Sequence, residues 1–142
     1  MNIVDAARAY IGTPFHHMAR NPPVGIDCAG LVICAAREVG LLPRGFDVPS
    51  YSRVPDGVTL ITWCREYLDE VSQADMRVGD VIVVSMGRYP QHLGLLGDYR
   101  YGAGFSIIHA SAYSRPPRVI ETRLMYTVAF KFCAAFRFRS VA

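Results

Sequence analysis

Asp27-Cys28-Ala29-Gly30-Leu31 stands where the texture of the chain changes. Before it, Pro14, Pro22, Pro23 and Gly25 break regular structure, so residues 13–26 read as a loop. After it runs Leu31-Val32-Ile33-Cys34-Ala35-Ala36, apolar on nearly every side until Arg37-Glu38. A helix of that kind belongs inside a core rather than on its surface. Asp is a favoured N-cap, because its carboxylate accepts the free N–H groups of a first helical turn. The stretch therefore predicts a buried helix over 28–39, with Gly40 suited to its C-terminal position and Pro43 just beyond. Cys28 falls at the positive end of the helix dipole, where an anion is favoured, and the thiolate is the reactive form of cysteine. A nucleophile with a stabilised thiolate is the expectation.

Upstream, Ile3, Ala6, Ala7 and Tyr10 share one face of a short helix over 3–11, ended by Gly12. Downstream, residues 43–55 form a proline-rich connection, and a third helix is predicted from about 56 to 71. Its inner stripe is Leu60, Ile61, Cys64, Leu68 and Val71. After the turn at Val78-Gly79-Asp80 the pattern changes to strands over 81–84, 92–96, 106–110 and 118–121, with 97–104 as a hairpin connection. Phe130, Phe132, Ala134, Phe136 and Phe138 alternate with Lys131 and Arg137, which predicts a last strand over 130–138 with one apolar face. Helices first and an antiparallel sheet second make an α+β fold.

The 142 residues fit one domain, 1–142, and a 51% hydrophobic content supplies a core. No apolar run approaches the roughly 18 residues of a membrane span. Met1 to Asp5 lacks a basic region followed by a long apolar stretch, so no secretory leader is expected. The net charge is +3, and nearly all the positive charge is arginine, Lys131 being the only lysine. It is spread along the chain, which argues against nucleic-acid binding. Arg20, Arg44 and Arg53 read as surface charge in preference to partners of a substrate carboxylate. Cys28, Cys34, Cys64 and Cys133 form no C-x-x-C pair, so a zinc site is not expected, and no disulfide framework is needed. Cys34, Cys64 and Cys133 read as buried free thiols. Gly102-Ala103-Gly104 lacks the further residues of a phosphate loop.

A cysteine nucleophile needs a base, and the base needs an orienting group. His92 opens one predicted strand, in Gln91-His92-Leu93-Gly94, and His109 closes another, in Ile108-His109-Ala110. If those strands are neighbours, the imidazoles lie side by side. The N-terminus of the Cys28 helix can then pack over them, with Cys28, His92 and His109 as nucleophile, base and orienting group. Taken alone, each of these histidines would be a satisfied polar residue near a strand end, and His16 and His17 would be loop surface.

Five blocks in order carry a resemblance: Gly12-Thr13-Pro14-Phe15, Gly25-Ile26-Asp27-Cys28-Ala29-Gly30-Leu31, Val78-Gly79-Asp80-Val81, His92-Leu93-Gly94 and Ile108-His109-Ala110. Together they resemble the signature of the NlpC-type cell-wall peptidases, which are papain-like cysteine peptidases. The similarity is greatest to short members associated with phage and prophage tails. The resemblance implies a papain-like fold, with helices packed on a C-terminal antiparallel sheet. It implies Cys28 as nucleophile, His92 as general base and His109 as third residue, with Phe15, His17, Asp27 and Ala29 on the substrate side and no metal or organic cofactor. The implied reaction is hydrolysis of peptidoglycan stem peptides between D-γ-glutamate and a diamino acid, with backbone N–H groups at the start of the Cys28 helix binding the oxyanion. The implied partners are the stem peptide and phage tail proteins, and the implied place of action is the bacterial cell wall, reached with a tail particle. Two positions depart from the family. Phe15 replaces a tyrosine whose hydroxyl lies near the nucleophile, so that contact is missing or comes from His16 or His17. Ala29 replaces a frequent serine. The loss of the tyrosine hydroxyl at Phe15 leaves open a catalytically weak or inactive wall-binding or tail-assembly module on the same fold, and a third reading is a related papain-like amidase or acyltransferase acting on another amide.

Overall fold

The computed structural model describes residues 1–53, 56–87 and 90–139. Residues 54 and 55, at the end of the expected proline-rich connection, lie outside them. The architecture is α+β. Helices α1 (Ile3–Ala9), α2 (Cys28–Glu38) and α3 (Thr59–Tyr67) lie on one face of a sheet. The sheet contains β3 (Asp69–Val71), β4 (Val81–Ser85), β5 (Pro90–Asp98), β6 (Phe105–Ser111), β7 (Arg118–Arg123) and β8 (Lys131–Arg137). Its order is β3-β8-β4-β5-β6-β7, antiparallel throughout. A two-stranded ribbon, β1 (Arg20–Asn21) with β2 (Gly25–Ile26), interrupts the expected 13–26 loop.

α1 starts on a capping box in which Asn2 and Asp5 exchange side-chain-to-backbone hydrogen bonds. It is two residues shorter than the sequence predicts. α2 is buried from Ala29 to Ala36, as its continuous apolar surface requires. β4 is buried at every position because both faces of the sheet are covered. Val81 and Val83 meet the helices, while Ile82 and Val84 meet a second cluster with Leu96 and Ile107.

Two sequence expectations are corrected. The third helix does not reach 71: α3 ends at Tyr67, and Asp69–Val71 pairs with β8 at Asp69↔Arg137 and Val71↔Ala135. The apolar stripe over 130–138 does not keep one face. Val83 pairs with Ala134 but Val84 with Phe132, so the register slips by one residue at Cys133. A slip of one residue turns the following side chains over. Ala134, Phe136 and Phe138 therefore join the helix-side core, while Phe130 and Phe132 cover the opposite face. Among the cysteines, Cys34 and Cys64 are buried free thiols, whereas Cys133 is only half-buried.

Candidate active site

Asp27 caps α2, accepting the Gly30 N–H at 2.8 Å on Oδ1. The same oxygen pairs with Arg20 Nη1 at 2.9 Å. Oδ2 accepts the Met18 N–H at 2.7 Å and a short hydrogen bond from the Tyr51 hydroxyl. Arg20 Nη2 donates to that same hydroxyl at 3.0 Å, and Arg20 Nε to Asp47 at 3.2 Å. Arg20 is thus not the surface charge the sequence suggests: it is tied down as counter-ion to a buried carboxylate. Gly30 makes this possible. A Cβ there would stand 2.6 Å from the Ala19 carbonyl oxygen, 3.0 Å from Arg20 Nη1 and 3.1 Å from Asp27 Oδ1. In this first turn the Asp27 side chain takes the Gly30 N–H, while the Ala29 N–H lies toward the Cys28 sulfur.

β5 and β6 pair antiparallel, with Leu95 opposite Ile108, and this brings His92 and His109 together. His92 Nε2 lies 2.6 Å from His109 Nδ1, and the rings meet edge to face at 4.8 Å. Both imidazoles are buried. Gly94 permits the tight approach of the two strands, since a Cβ there would be 2.5 Å from Ile107 Cγ1 and 3.2 Å from the Ile108 carbonyl oxygen. Phe130, turned to this face by the slip in β8, lies 6.4 Å from His109, centroid to centroid.

Cys28 and His92 line one cavity of about 200 Å³. Its walls come from the 13–26 loop (Phe15, His17), from the 43–55 connection (Tyr51, Ser52, Arg53), from the start of α3 (Asp56, Thr59, Leu60) and from the sheet end (Met86, Ala110, Ala112, Tyr113). Among the described residues no hydrogen bond links the Cys28 thiol to His92. Such contacts are often long before substrate binds. His17 is not loop surface: its Nε2 lies 3.1 Å from the Tyr51 carbonyl oxygen and its ring meets the Tyr51 ring edge-on. His16 is exposed and packs over Gly25. Asp27 borders the cavity with its oxygens engaged, and His109 lies behind His92. The Ala29 side chain is buried in the core, so this residue meets Cys28 only through its backbone. The sequence did not single out Tyr51. Its hydroxyl reaches Asp27 from a segment with no periodic signal. Among the described residues no group of three or more His, Cys, Asp or Glu is placed to hold a metal ion.

Two solved structures share this arrangement of helices and sheet. One is a protein of the NLP/P60 family, similar to a lipoprotein, from Staphylococcus aureus, at 21% identity and TM-score 0.61 over 96% of this chain. The other is the NlpC/p60 domain of the peptidoglycan hydrolase SagA, at 24% identity and TM-score 0.60 over 95% of this chain. The fold is that of the NlpC/p60 proteins. This chain spans 40% of the length of the staphylococcal protein and 95% of the SagA domain. No family model matches the sequence, and no curated protein is similar to it.

Within this NlpC/p60 fold the electrostatics of the site run against the simple dipole expectation. Burial, and then the Asp27 charge, push the Cys28 thiol up to about 11, outweighing the N–H groups of Leu93 and Ala29, which favour the thiolate. Burial and the neighbouring His109 push His92 down to about 3, and burial pushes His109 down to about 4. At neutral pH the resting site therefore holds a neutral thiol and two neutral imidazoles. The helix start, which favours a thiolate, is opposed here by desolvation: the dipole is a local effect and the desolvation is a tertiary one.

Proposed function

We propose that this chain is a cysteine peptidase of the NlpC/p60 type that hydrolyses peptidoglycan stem peptides, with Cys28 as nucleophile, His92 as general base and His109 as the residue that orients His92. The observation that carries the reading is the cavity that holds Cys28 beside a histidine whose far nitrogen is engaged by a second histidine. We assign the shared proton to His92 Nε2, donating to His109 Nδ1 2.6 Å away, which leaves His92 Nδ1 as the acceptor for the thiol proton. As the sulfur attacks the scissile carbonyl carbon, its proton passes to Nδ1, and the carbonyl oxygen becomes an oxyanion. The N–H groups at the start of α2, those of Cys28 and Ala29, are the donors we assign to it. Collapse of the intermediate breaks the C–N bond, and His92 returns the proton to the leaving amine. Water, deprotonated by His92, then cleaves the thioester and frees the thiol.

The bond we assign is the one between D-γ-glutamate and a diamino acid. Support for this finer assignment, and for delivery to the wall with a phage or prophage tail, is the resemblance of the five sequence blocks. The test is cleavage of purified stem peptides with analysis of the products. Cys28→Ser and His92→Ala should abolish cleavage while circular dichroism stays unchanged. Normal turnover by a folded Cys28→Ser protein would sink the proposal. The resting thiol's high pKa favours a second reading, a wall-binding module with weak or no activity. That reading predicts tight binding of stem peptide with no product from the native chain.

A further inference from the structure

The charged groups around the cavity differ in what they have left to offer. Asp27 is paired with Arg20 and hydrogen-bonded by Tyr51, Met18 and Gly30. The Asp56 carboxylate is turned into the start of α3, where it accepts from the Val58 and Thr59 N–H groups at 2.9 Å each and from the Thr59 hydroxyl. Arg44 lies elsewhere, beside Arg37 and Glu38 at the far end of α2. Arg53 is different. It is exposed on the cavity wall, in the same segment as Tyr51, and has no hydrogen-bond or ion-pair partner among the described residues. A guanidinium that lines the same cavity as the nucleophile, with no partner among the described residues, is a ready receptor for a carboxylate, which it can engage by two parallel charge-assisted hydrogen bonds. A carboxamide supplies one neutral acceptor and a donor that the guanidinium cannot use.

We propose that Arg53 is a specificity-determining residue that selects stem peptides with a free carboxylate on the γ-glutamyl residue at the scissile amide over those with a carboxamide there. The inference rests on the peptidase reading above. A γ-linked glutamyl residue joins the chain through its side-chain carbonyl, so its α-carboxylate stays outside the amide backbone. It hangs a few bonds from the carbonyl that Cys28 attacks, free to meet the cavity wall.

The experiment uses two stem peptides identical except for an α-carboxylate or α-carboxamide on the D-γ-glutamyl residue. kcat/KM is measured for the native chain, Arg53→Gln and Arg53→Lys, and binding of both peptides to Cys28→Ala is measured by calorimetry. The native chain should favour the acid about tenfold or more, and Arg53→Gln should lose that preference by slowing the acid alone, leaving the amide within about twofold. Arg53→Lys should keep part of it. Equal losses on both peptides, or no preference in the native chain, would overturn the role of Arg53 while leaving the peptidase reading intact. No cleavage of either peptide, with acid-selective binding to Cys28→Ala that Arg53→Gln abolishes, would support Arg53 and defeat the hydrolase reading. Neither cleavage nor selective binding would overturn both.

Discussion

His92 Nε2 and His109 Nδ1 face each other at 2.6 Å, inside a sheet whose two strands press together at Gly94. One proton must lie between these nitrogens. For His92 to act as a base toward Cys28, that proton has to sit on His92. His109→Ala removes the acceptor, frees the ring to turn and lets the proton move to Nδ1, the nitrogen that must accept from the thiol. Turnover should fall about 10²-fold or more with KM little changed, as expected for an orienting partner of a catalytic imidazole. His109→Asn, which can present a carbonyl oxygen to Nε2–H, should recover part of the loss. Steady-state kinetics on the two variants check this, and equal losses in both would count against an orienting role.

The same burial gives the imidazole pair a signature in stability. Unfolded histidines take up a proton near pH 6.5, whereas the folded pair resists it down to about 3 and 4. Between those limits the unfolded chain binds more protons than the folded one, so stability rises with pH there and falls on acidification. Above pH 6.5 the contribution is fully present. Each buried imidazole adds a slope of about 1.4 kcal/mol per pH unit within the window. Urea unfolding of the native chain at pH 4.5, 5.5 and 6.5 should show the decline, and His92→Asn should flatten it by about one imidazole's share. An unchanged slope would mean that His92 is not held neutral by the fold.

How much of this was legible follows from the range over which each signal acts. The Cys28 helix was legible because its cap and apolar run are adjacent in sequence. The histidine pair was legible because each member marks the end of a short strand, and one hairpin joins the two strands. β3 was not, because Asp69–Val71 becomes a strand only through β8, near the other end of the chain. The slip at Cys133 was hidden too: an alternating pattern reads the same whether or not the strand turns over midway. Arg20 was misread because Asp27, Asp47 and Tyr51 reach it from three separate stretches of chain. The desolvation of the thiol was not legible because the helix end can be read locally, whereas the groups that crowd the sulfur, such as Leu93, come from distant stretches of chain.

Gly30 has a helical neighbourhood in which alanine would ordinarily be preferred, and there Gly→Ala would stabilise. Here the added methyl would press on the Ala19 carbonyl oxygen at 2.6 Å and on the Arg20–Asp27 ion pair. Backbone cannot yield as a flexible side chain does. Gly30→Ala should therefore destabilise by about 1–3 kcal/mol in spite of its better helix propensity. Because the displaced groups hold the start of α2, activity should fall further than the loss of folded protein explains. Denaturant unfolding beside kcat/KM at a temperature where the variant is fully folded separates the two effects. A neutral or stabilising result would show that the ion pair can shift at little cost.

Asp27 and Arg20 act in opposite senses on the nucleophile: the carboxylate raises the Cys28 pKa and the guanidinium lowers it. Only the thiolate alkylates. With the thiol pushed up to about 11, alkylation of Cys28 in the native chain should rise roughly tenfold per pH unit between pH 7 and 9. A pre-formed thiolate–imidazolium pair would instead give a flat rate across that range. Arg20→Met should slow the reaction at any fixed pH, because Asp27 then stands beside the sulfur without its counter-ion. It should also cost about 3–5 kcal/mol of stability, the penalty for leaving one member of a buried ion pair alone. Asp27→Asn should move the alkylation profile toward lower pH while keeping the hydrogen bond from Gly30 N–H. Mass spectrometry of the Cys28 peptide against pH reads all three proteins. If Arg20→Met and Asp27→Asn shift the profile in the same direction, the charge pair does not govern the thiol, and the loss of capping geometry common to both variants does.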